Sequence, residues 1–342
     1  MKRREFIAGS LGFGSTTCLA GPVPGLSSDG PIRFLAFADI HYESTGRWPH
    51  PDREWLDQIL RRAVDAKADF IVSLGDMTFG PVTDAERDYV RHYNSFGPIP
   101  TYHVYGNHEY ERVTPEELDA LYGLARGYYS FDKKGFRFIV LDPHYVLKDG
   151  VCRRFFKRCS YKEEKLDRML PPDQIDWLRK TVLESPCPCV VFSHESIERI
   201  RGGISNRKEV LGIFAEANAK RPGTVRLVVN GHEHKDNLRI LDNVAYLDLN
   251  SATYDIEKSH KAYPEEYRKK CHAAGYTLTW NDPLSAVITL SQDGDMRIDG
   301  TESSFYLGVT PEMAGWRGDS CGRITTPRIQ SADMRFRYRR LA

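Results

Sequence analysis

The chain lacks a net charge of either sign: 48 Lys and Arg stand against 47 Asp and Glu, leaving +1 over 342 residues. Nothing global draws it to nucleic acid or to an anionic membrane surface, and neither is expected as a partner. C-x-x-C spacing is absent from its seven cysteines, which argues against a zinc–thiolate cluster. Internal repeats and low-complexity linkers are absent too, so a solenoid or a string of tethered modules is not expected. The weakly apolar stretch from Phe6 to Ala20 is too short to cross a bilayer, and no stable membrane anchor is expected. What is present is ordinary: 41% hydrophobic and 28% charged residues suit a globular protein with a sizeable core.

The first residues form a separate object. Lys2, Arg3 and Arg4 precede a modest apolar run rich in Gly, Ser and Thr, which reads as a secretion signal. Arg3-Arg4-Glu5-Phe6-Ile7 resembles the bacterial twin-arginine export signal, an address read by a receptor rather than an anchor. Residues 1–20 are therefore expected to be a signal peptide cleaved after Ala20. That implies the export machinery as a partner and a periplasmic or extracellular destination. Without Cys18 six cysteines remain, an even number that an oxidising compartment permits to pair. Cys152 and Cys159, close together in a loop-like insertion, are the favoured pair; the others cannot be paired from sequence.

Beyond the signal, strand-like and helix-like stretches alternate. Apolar runs at 32–40, 69–76, 101–109, 189–195 and 225–233 read as buried strands. Amphipathic stretches at 51–68, 83–96, 172–184 and 206–220 read as helices, the second capped by Thr83. Hairpins are expected at 127–142, with a turn near Lys133–Gly135, and again in the C-terminal third. A basic insertion at 143–170 has no clear periodicity. The pattern is that of an α/β domain with mixed sheets, over residues 31–300, followed by an extension, 301–342, packed on it or trailing from it.

Each strand of the alternating portion ends in a polar cluster: Asp39-Ile40-His41, Gly75-Asp76, Gly106-Asn107-His108-Glu109, His194, and Gly231-His232-Glu233-His234. Ligands of open α/β sheets gather at the carboxyl ends of strands, so five loops are expected to converge on one crevice. The donors Asp39, His41, Asp76, Asn107, His194, His232 and His234 are more than one four-coordinate ion uses. They suit two ions that share a carboxylate. Mixed imidazole and carboxylate ligation favours Zn, Fe, Mn or Co over calcium.

In order and spacing, Asp39-Ile40-His41, Gly75-Asp76-Met77-Thr78, Gly106-Asn107-His108-Glu109, Phe192-Ser193-His194 and Gly231-His232-Glu233-His234 resemble the calcineurin-like metallophosphoesterases, from Ile32 to about Asp248. The resemblance implies a four-layer α/β/β/α sandwich with two mixed sheets. It implies two divalent or trivalent metal ions, with Mn, Fe and Zn foremost, and a bridging hydroxide as nucleophile. Asp39, His41 and His234 would hold the first metal, Asn107, His194 and His232 the second, with Asp76 bridging. His108 would be the general acid or phosphate-contacting residue, with Glu109 in position to orient it. Glu233, pointing the other way in an extended backbone, is not expected to ligate. Phe79 stands where purple acid phosphatases carry an iron-binding tyrosine, which disfavours the ferric-tyrosinate variety.

For the substrate, a small-molecule phosphoester is expected. The 201–214 stretch resembles loops of nucleotide diphosphatases in the same superfamily, and it makes Arg201, Asn206 and Arg207 candidates for contact with a second phosphate or a ribose. A phosphodiesterase or nucleotide-type diphosphatase is the leading expectation. A promiscuous phosphomonoesterase is the alternative, and a metal-stabilised binding module the non-enzymatic one. The aromatics Tyr145, Tyr254, Trp280 and Trp316 are expected in packing roles. The Arg-rich end, 335–340, is expected as a tail or an edge strand.

Overall fold

The computed structural model describes residues 30–46, 53–154, 168–200, 202–256, 259–319 and 322–338. The expected signal peptide, Cys159, Arg201, Cys321 and Arg339–Arg340 lie outside them. Among the described cysteines, Cys152, Cys187, Cys189 and Cys271 are free thiols.

Buried apolar runs make the strands, and their alternation sorts side chains between two faces. In β1 (Ile32–Phe37), Ile32, Phe34 and Ala36 enter a central core while Leu35 and Phe37 enter an outer one. β1 lies parallel to β2 (Phe70–Ser73), and β2 parallel to β3 (Thr101–His103). On its other side β1 pairs antiparallel with β15 (Ala286–Leu290), followed by β16 (Asp295–Gly300) and β17 (Ala332–Arg335). The sheet order is β17-β16-β15-β1-β2-β3, while β13 (Tyr254–Ile256) and β14 (Thr277–Thr279) form a separate antiparallel pair. The edge strand β17 takes in only Arg335 of the arginine-rich 335–340 segment.

A second sheet has the order β11-β12-β10-β9-β5-β4. Its members are β4 (Tyr129–Lys133), β5 (Phe136–Val140), β9 (Cys189–Ser193), β10 (Val225–Asn230), β11 (Asn237–Leu241) and β12 (Val244–Asp248). The hairpin turn falls at Lys134–Gly135, both at positive φ. The inner faces of the two sheets meet in an aromatic core. Phe34 stacks on Phe70 with ring centroids 4.9 Å apart and meets Phe138 and Phe192 edge-on.

Helices cover both outer faces. α1 (Arg53–Asp65), α2 (Asp84–Asn94) and α3 (Pro115–Tyr122) bury Leu56, Ile59, Tyr89, Tyr93 and Leu118 against the first sheet. Thr83 begins α2 with a full capping box to Glu86, and Thr114 does the same for α3. α4 (Pro172–Leu183) and α5 (Arg207–Lys220) bury Ile175, Leu178, Val210 and Phe214 on the second sheet. Three cores separate four layers, α/β/β/α, with two mixed sheets, as the resemblance implied.

The basic insertion is not structureless. β6 (Tyr145–Lys148), β7 (Val151–Arg154) and β8 (Arg168–Met169) form a small sheet in the order β7-β6-β8, beside the carboxyl end of β5. The strands are short and their faces are mostly half-buried, so they carry little hydrophobic alternation to read.

Candidate metal centre

The five strand-end clusters converge. Asp39 and His41 follow β1, Asp76 follows β2, Asn107 and His108 follow β3, His194 follows β9, and His232 and His234 follow β10. The structure brings together the ligating atoms of Asp39, His41 and His234, of His41, Asp76 and His108, and of Asp76, His194 and His232, within 4.8 Å in each group. Asp76 Oδ2 lies 3.1 Å from His194 Nε2 and 3.4 Å from His41 Nε2, while Asp39 Oδ1 lies 3.3 Å from His234 Nε2.

The backbone reaches this geometry by unusual conformations. Asp39, His41, Asp76, His232 and His234 all have φ between 50° and 69°. The left-handed region is uncommon for residues with a Cβ, though Asp and His tolerate it better than most. The extended backbone expected across 232–234 is therefore corrected: alternate left-handed residues curl this loop inward. Glu233 still faces away, toward Arg199 and Arg323. At Gly75, with φ 96°, an added Cβ would lie 2.6 Å from His194 Nδ1 and 2.7 Å from the Gly106 nitrogen, so no larger residue fits.

Second contacts fix the rings. Nδ1 of His41, His194 and His234 lie 3.0, 2.7 and 2.8 Å from the carbonyls of Asp39, Leu74 and Tyr254. With Nδ1–H donating to those carbonyls, each Nε2 lone pair is turned to the shared centre. Asp39 Oδ1, His41 Nε2 and His194 Nε2 are buried with no hydrogen bond closing on them. Buried polar atoms are rarely left so, and a cation is the partner this donor set fits.

Protonation follows from burial and charge. Burial pushes His41 below the ordinary imidazole value, and burial reinforced by Arg168 pushes His232 well below it. For Asp76, burial favours the acid, but His194 and His108 outweigh it and hold the carboxyl well below the usual range. For His194, burial opposes protonation and the Asp76 and Asp39 carboxylates overcome it, raising the ring to about 10. His234 is raised in the same way, Asp39 prevailing over burial.

Two sequence expectations need correction. Glu109 does not orient His108. It is buried, and its carboxylate accepts the backbone N–H groups of Gly106, Asp76, Met77 and Thr78 at 2.5–3.2 Å. A 3-10 turn at Glu109–Glu111 rolls it inward, making it the clasp between two strand-end loops. The residue against His108 is Glu111, whose Oε1 lies 2.9 Å from Nδ1. Asn206 and Arg207 are spent on structure. Asn206 clamps both backbone polar groups of Leu170, and Arg207 reaches the Glu198 carbonyl. Neither lines the cleft at the metal cluster; Arg201 lies outside the described residues.

That cleft has a volume of about 370 Å³ and runs from Asp76, Asn107 and His108 past His232 and His234 to Lys235, Asp255 and Arg323. Arg168, Lys235 and Arg323 were not found from sequence. Arg168 sits in the unpatterned insertion, and Arg323 lies far downstream in the extension, joined to Glu233 at 2.8 Å. Phe79 packs on His41 and His108, with centroids 4.9 and 4.8 Å away. Tyr254 packs on His41 and His234, Trp280 is core, Trp316 lies under the Lys235 ammonium, and Tyr145 pairs within the small sheet.

A two-sheet sandwich with a buried imidazole–carboxylate cluster at its strand ends is the build of a dimetal hydrolase. Residues 32–236 match the calcineurin-like phosphoesterase model, and the chain belongs to that family. It is a hydrolase acting on phosphoester bonds, in a family that depends on two metal ions. No curated protein matches the chain. Among solved structures, a dimetal phosphatase from Danio rerio is similar at a TM-score of 0.59 and 16% identity, over 81% of this chain and 99% of that one. GAP50, the anchor in the inner membrane complex of Plasmodium, is similar at a TM-score of 0.50 and 14% identity, over 90% and 89%. At these identities the likeness is one of fold.

The reassignment of the two glutamates separates them experimentally. Glu109→Ala strands four backbone donors and is expected to cost about 3 kcal/mol in urea unfolding. Glu111→Ala, at a half-exposed side chain, is expected to change stability by about 0.5 kcal/mol or less. Equal losses in the two variants would remove the distinction.

Proposed function

We propose that the protein hydrolyses a small phosphodiester or a nucleotide-type diphosphate. The observation that carries this reading is the cleft, which continues beyond the metal cluster to Lys235 and Arg323. Its size falls in the range of small-molecule sites, about 300–1,000 Å³, and leaves room for more than one phosphoryl group. Asp39, His41 and His234 would hold one metal, Asn107, His194 and His232 the other, and Asp76 both. Mn, Fe and Zn suit these ligands. When bound, such a pair supplies Lewis acidity at the phosphoryl oxygens and lowers the pKa of a coordinated water. The chain's own residues do the rest. The His108 backbone N–H holds Asp76 Oδ1 at 2.7 Å and Glu111 Oε1 stands 2.9 Å from Nδ1, which sets the His108 ring where it can give a proton to the leaving oxygen. A binding module would have no use for an imidazole set beside the cluster in this way.

Export by the N-terminal twin-arginine-type signal, with a periplasmic or extracellular destination, is part of the proposal. It rests on Arg3, Arg4 and the apolar run that follows.

Chelator dialysis is expected to abolish hydrolysis of bis(p-nitrophenyl) phosphate, and Mn²⁺ or Zn²⁺ to restore it. His108→Ala should lower kcat about 100-fold with metal content unchanged, as loss of a general acid does. On a panel of p-nitrophenyl phosphate, its bis-ester, cyclic AMP, ADP-ribose and a CDP-alcohol, diesters or diphosphates should be preferred. Uniform rates would favour the promiscuous monoesterase, and full metal loading without hydrolysis of any ester would remove the enzymatic reading.

Metal uptake should depend on pH with a definite sign. His194, raised to about 10, carries a proton at neutral pH in the metal-free site, and the Asp39 carboxylate shifts His234 in the same direction. Ligation requires the neutral rings, so protons leave as metal enters and affinity falls as the solution is acidified. Each competing proton weakens binding about tenfold per pH unit. Calorimetry in buffers of different ionisation heat should register the release; a pH-independent affinity would contradict it.

For export, replacing Arg3 and Arg4 together by Lys is expected to leave unprocessed protein in the cytoplasm of a bacterial host. Undiminished export of that variant would count against the signal.

A further inference from the structure

His232 and His234 turn to the metal cluster, and the residues between and after them are held by the C-terminal extension. Arg323 Nη2 lies 2.8 Å from Glu233 Oε2, and Arg199, which follows β9, contacts the same oxygen. The Gln330 backbone N–H donates to Asp236 Oδ2 at 3.0 Å. Between these two contacts, Thr325 donates its hydroxyl to Asp255 Oδ2, the oxygen that also receives the Lys235 ammonium. Asp255 in turn follows Tyr254, whose carbonyl stands 2.8 Å from His234 Nδ1. Arg323, Thr325 and Gln330 thus serve positions 233, 235 and 236 in matching order, the middle one through Asp255.

The extension is itself fixed. Asn250 donates its side-chain amide to the carbonyls of Thr326 and Arg328 at 2.6 and 3.1 Å. Asp319 accepts the Arg323 backbone N–H at 2.9 Å and stands 2.7 Å from its Nη2. The side chains of Glu233, Arg323 and Arg199 are at most 15% exposed, so water and salt screen their contact less than that of a surface pair.

The loop requires such a hold. His232 and His234 have φ of 69° and 50°, and residues with a Cβ keep that conformation only when their surroundings over-determine it. On the inner side, the His232 N–H donates to Asp39 Oδ2 at 2.9 Å. On the other, Glu233 is where three segments meet: its own loop, the extension, and the turn that follows His194. At Gly202 in that turn, with φ 75°, an added Cβ would run into Glu233 Oε1. Contacts of this kind, one step removed from a metal, orient its ligands and tune how tightly it is held.

We propose that Arg323 is a positioning residue of the metal centre, setting through Glu233 where His232 and His234 present their nitrogens, with Thr325 and Gln330 completing the clasp. This rests on the reading of those two histidines as metal ligands. It gives the extension, which lies outside the matched residues 32–236, a part in metal affinity as well as in the sheet.

The experiment uses the full chain, stripped with chelator and titrated with Mn²⁺ and, for its visible absorption, with Co²⁺. Arg323→Ala should weaken metal binding about 10- to 100-fold. It should also shift the Co²⁺ bands, which report ligand geometry and which a loss of stability alone would not move. Arg323→Lys keeps the charge and should recover part of the loss. Glu233→Gln should weaken binding as well, and the double variant with Arg323→Ala should fall short of the sum of the two losses, because both act through one contact. Arg335→Ala, on the edge strand of the same extension, removes an exposed pair with Asp295 and should bind metal as wild type does. Wild-type affinity and Co²⁺ spectrum in Arg323→Ala would overturn the assignment, as would additive losses in the double variant or an equal loss in Arg335→Ala. Should Arg323→Ala not fold, wild-type values in Arg323→Lys would do the same. A wild type that takes up no metal would instead remove the dimetal reading beneath it.

Discussion

Asp76 is the point on which the two halves of this molecule depend. Its carboxylate leaves the carboxyl end of β2 in one sheet, stands 3.4 Å from His41 of that sheet, and reaches His194 of the other at 3.1 Å. A buried anion of this kind is tolerable only when opposite charge surrounds it. The cluster is therefore a seam as well as a site: Asp39, His41, Asp76, Asn107 and His108 come from the first sheet, and His194, His232 and His234 from the second. The phenylalanine core fixes how far apart the sheets lie, and the seam fixes how their ends meet.

The parts of this arrangement that follow chain order were legible in the sequence. A parallel strand buried on both faces is an unbroken apolar run, and a polar cluster directly behind it stands out. Five such clusters announced Asp39, His41, Asp76, Asn107, His108, His194, His232 and His234, and with them the two-sheet fold. Adjacency misled where the backbone turns sharply. Glu109 follows His108 and looked like its partner, but a 3-10 turn sends it to the backbone amides behind Asp76 and brings Glu111 to the ring. Arg207 shared a helix-like stretch with a recognisable loop, yet it serves the Glu198 carbonyl.

What the sequence hid is whatever depends on folding across long separations. Arg168 contacts His232 from 64 positions away, and Arg323 contacts Glu233 from 90. Neither sits in a periodic segment, and a single arginine outside one is indistinguishable from the solvated arginines that dominate most surfaces. Glu195, by contrast, stood next to His194 in plain view. Its meaning was unavailable without His144 on one side and Arg168 on the other, because a buried glutamate is defined by what neutralises it.

The left-handed backbone at Asp39, His41, Asp76, His232 and His234 has a consequence for anyone moving or redesigning the centre. Each such residue holds about 1–3 kcal/mol of conformational strain. Copying the seven side chains onto another α/β scaffold would not reproduce the site, since ordinary strand-end loops would aim them elsewhere. The portable unit is the set of five loops, three of them curled by left-handed residues, with the glycines and the Glu109 clasp that let them close. Ligand exchange is bounded by the same feature: a substitute must suit the metal and also accept a positive φ, which removes β-branched residues whatever their chemistry.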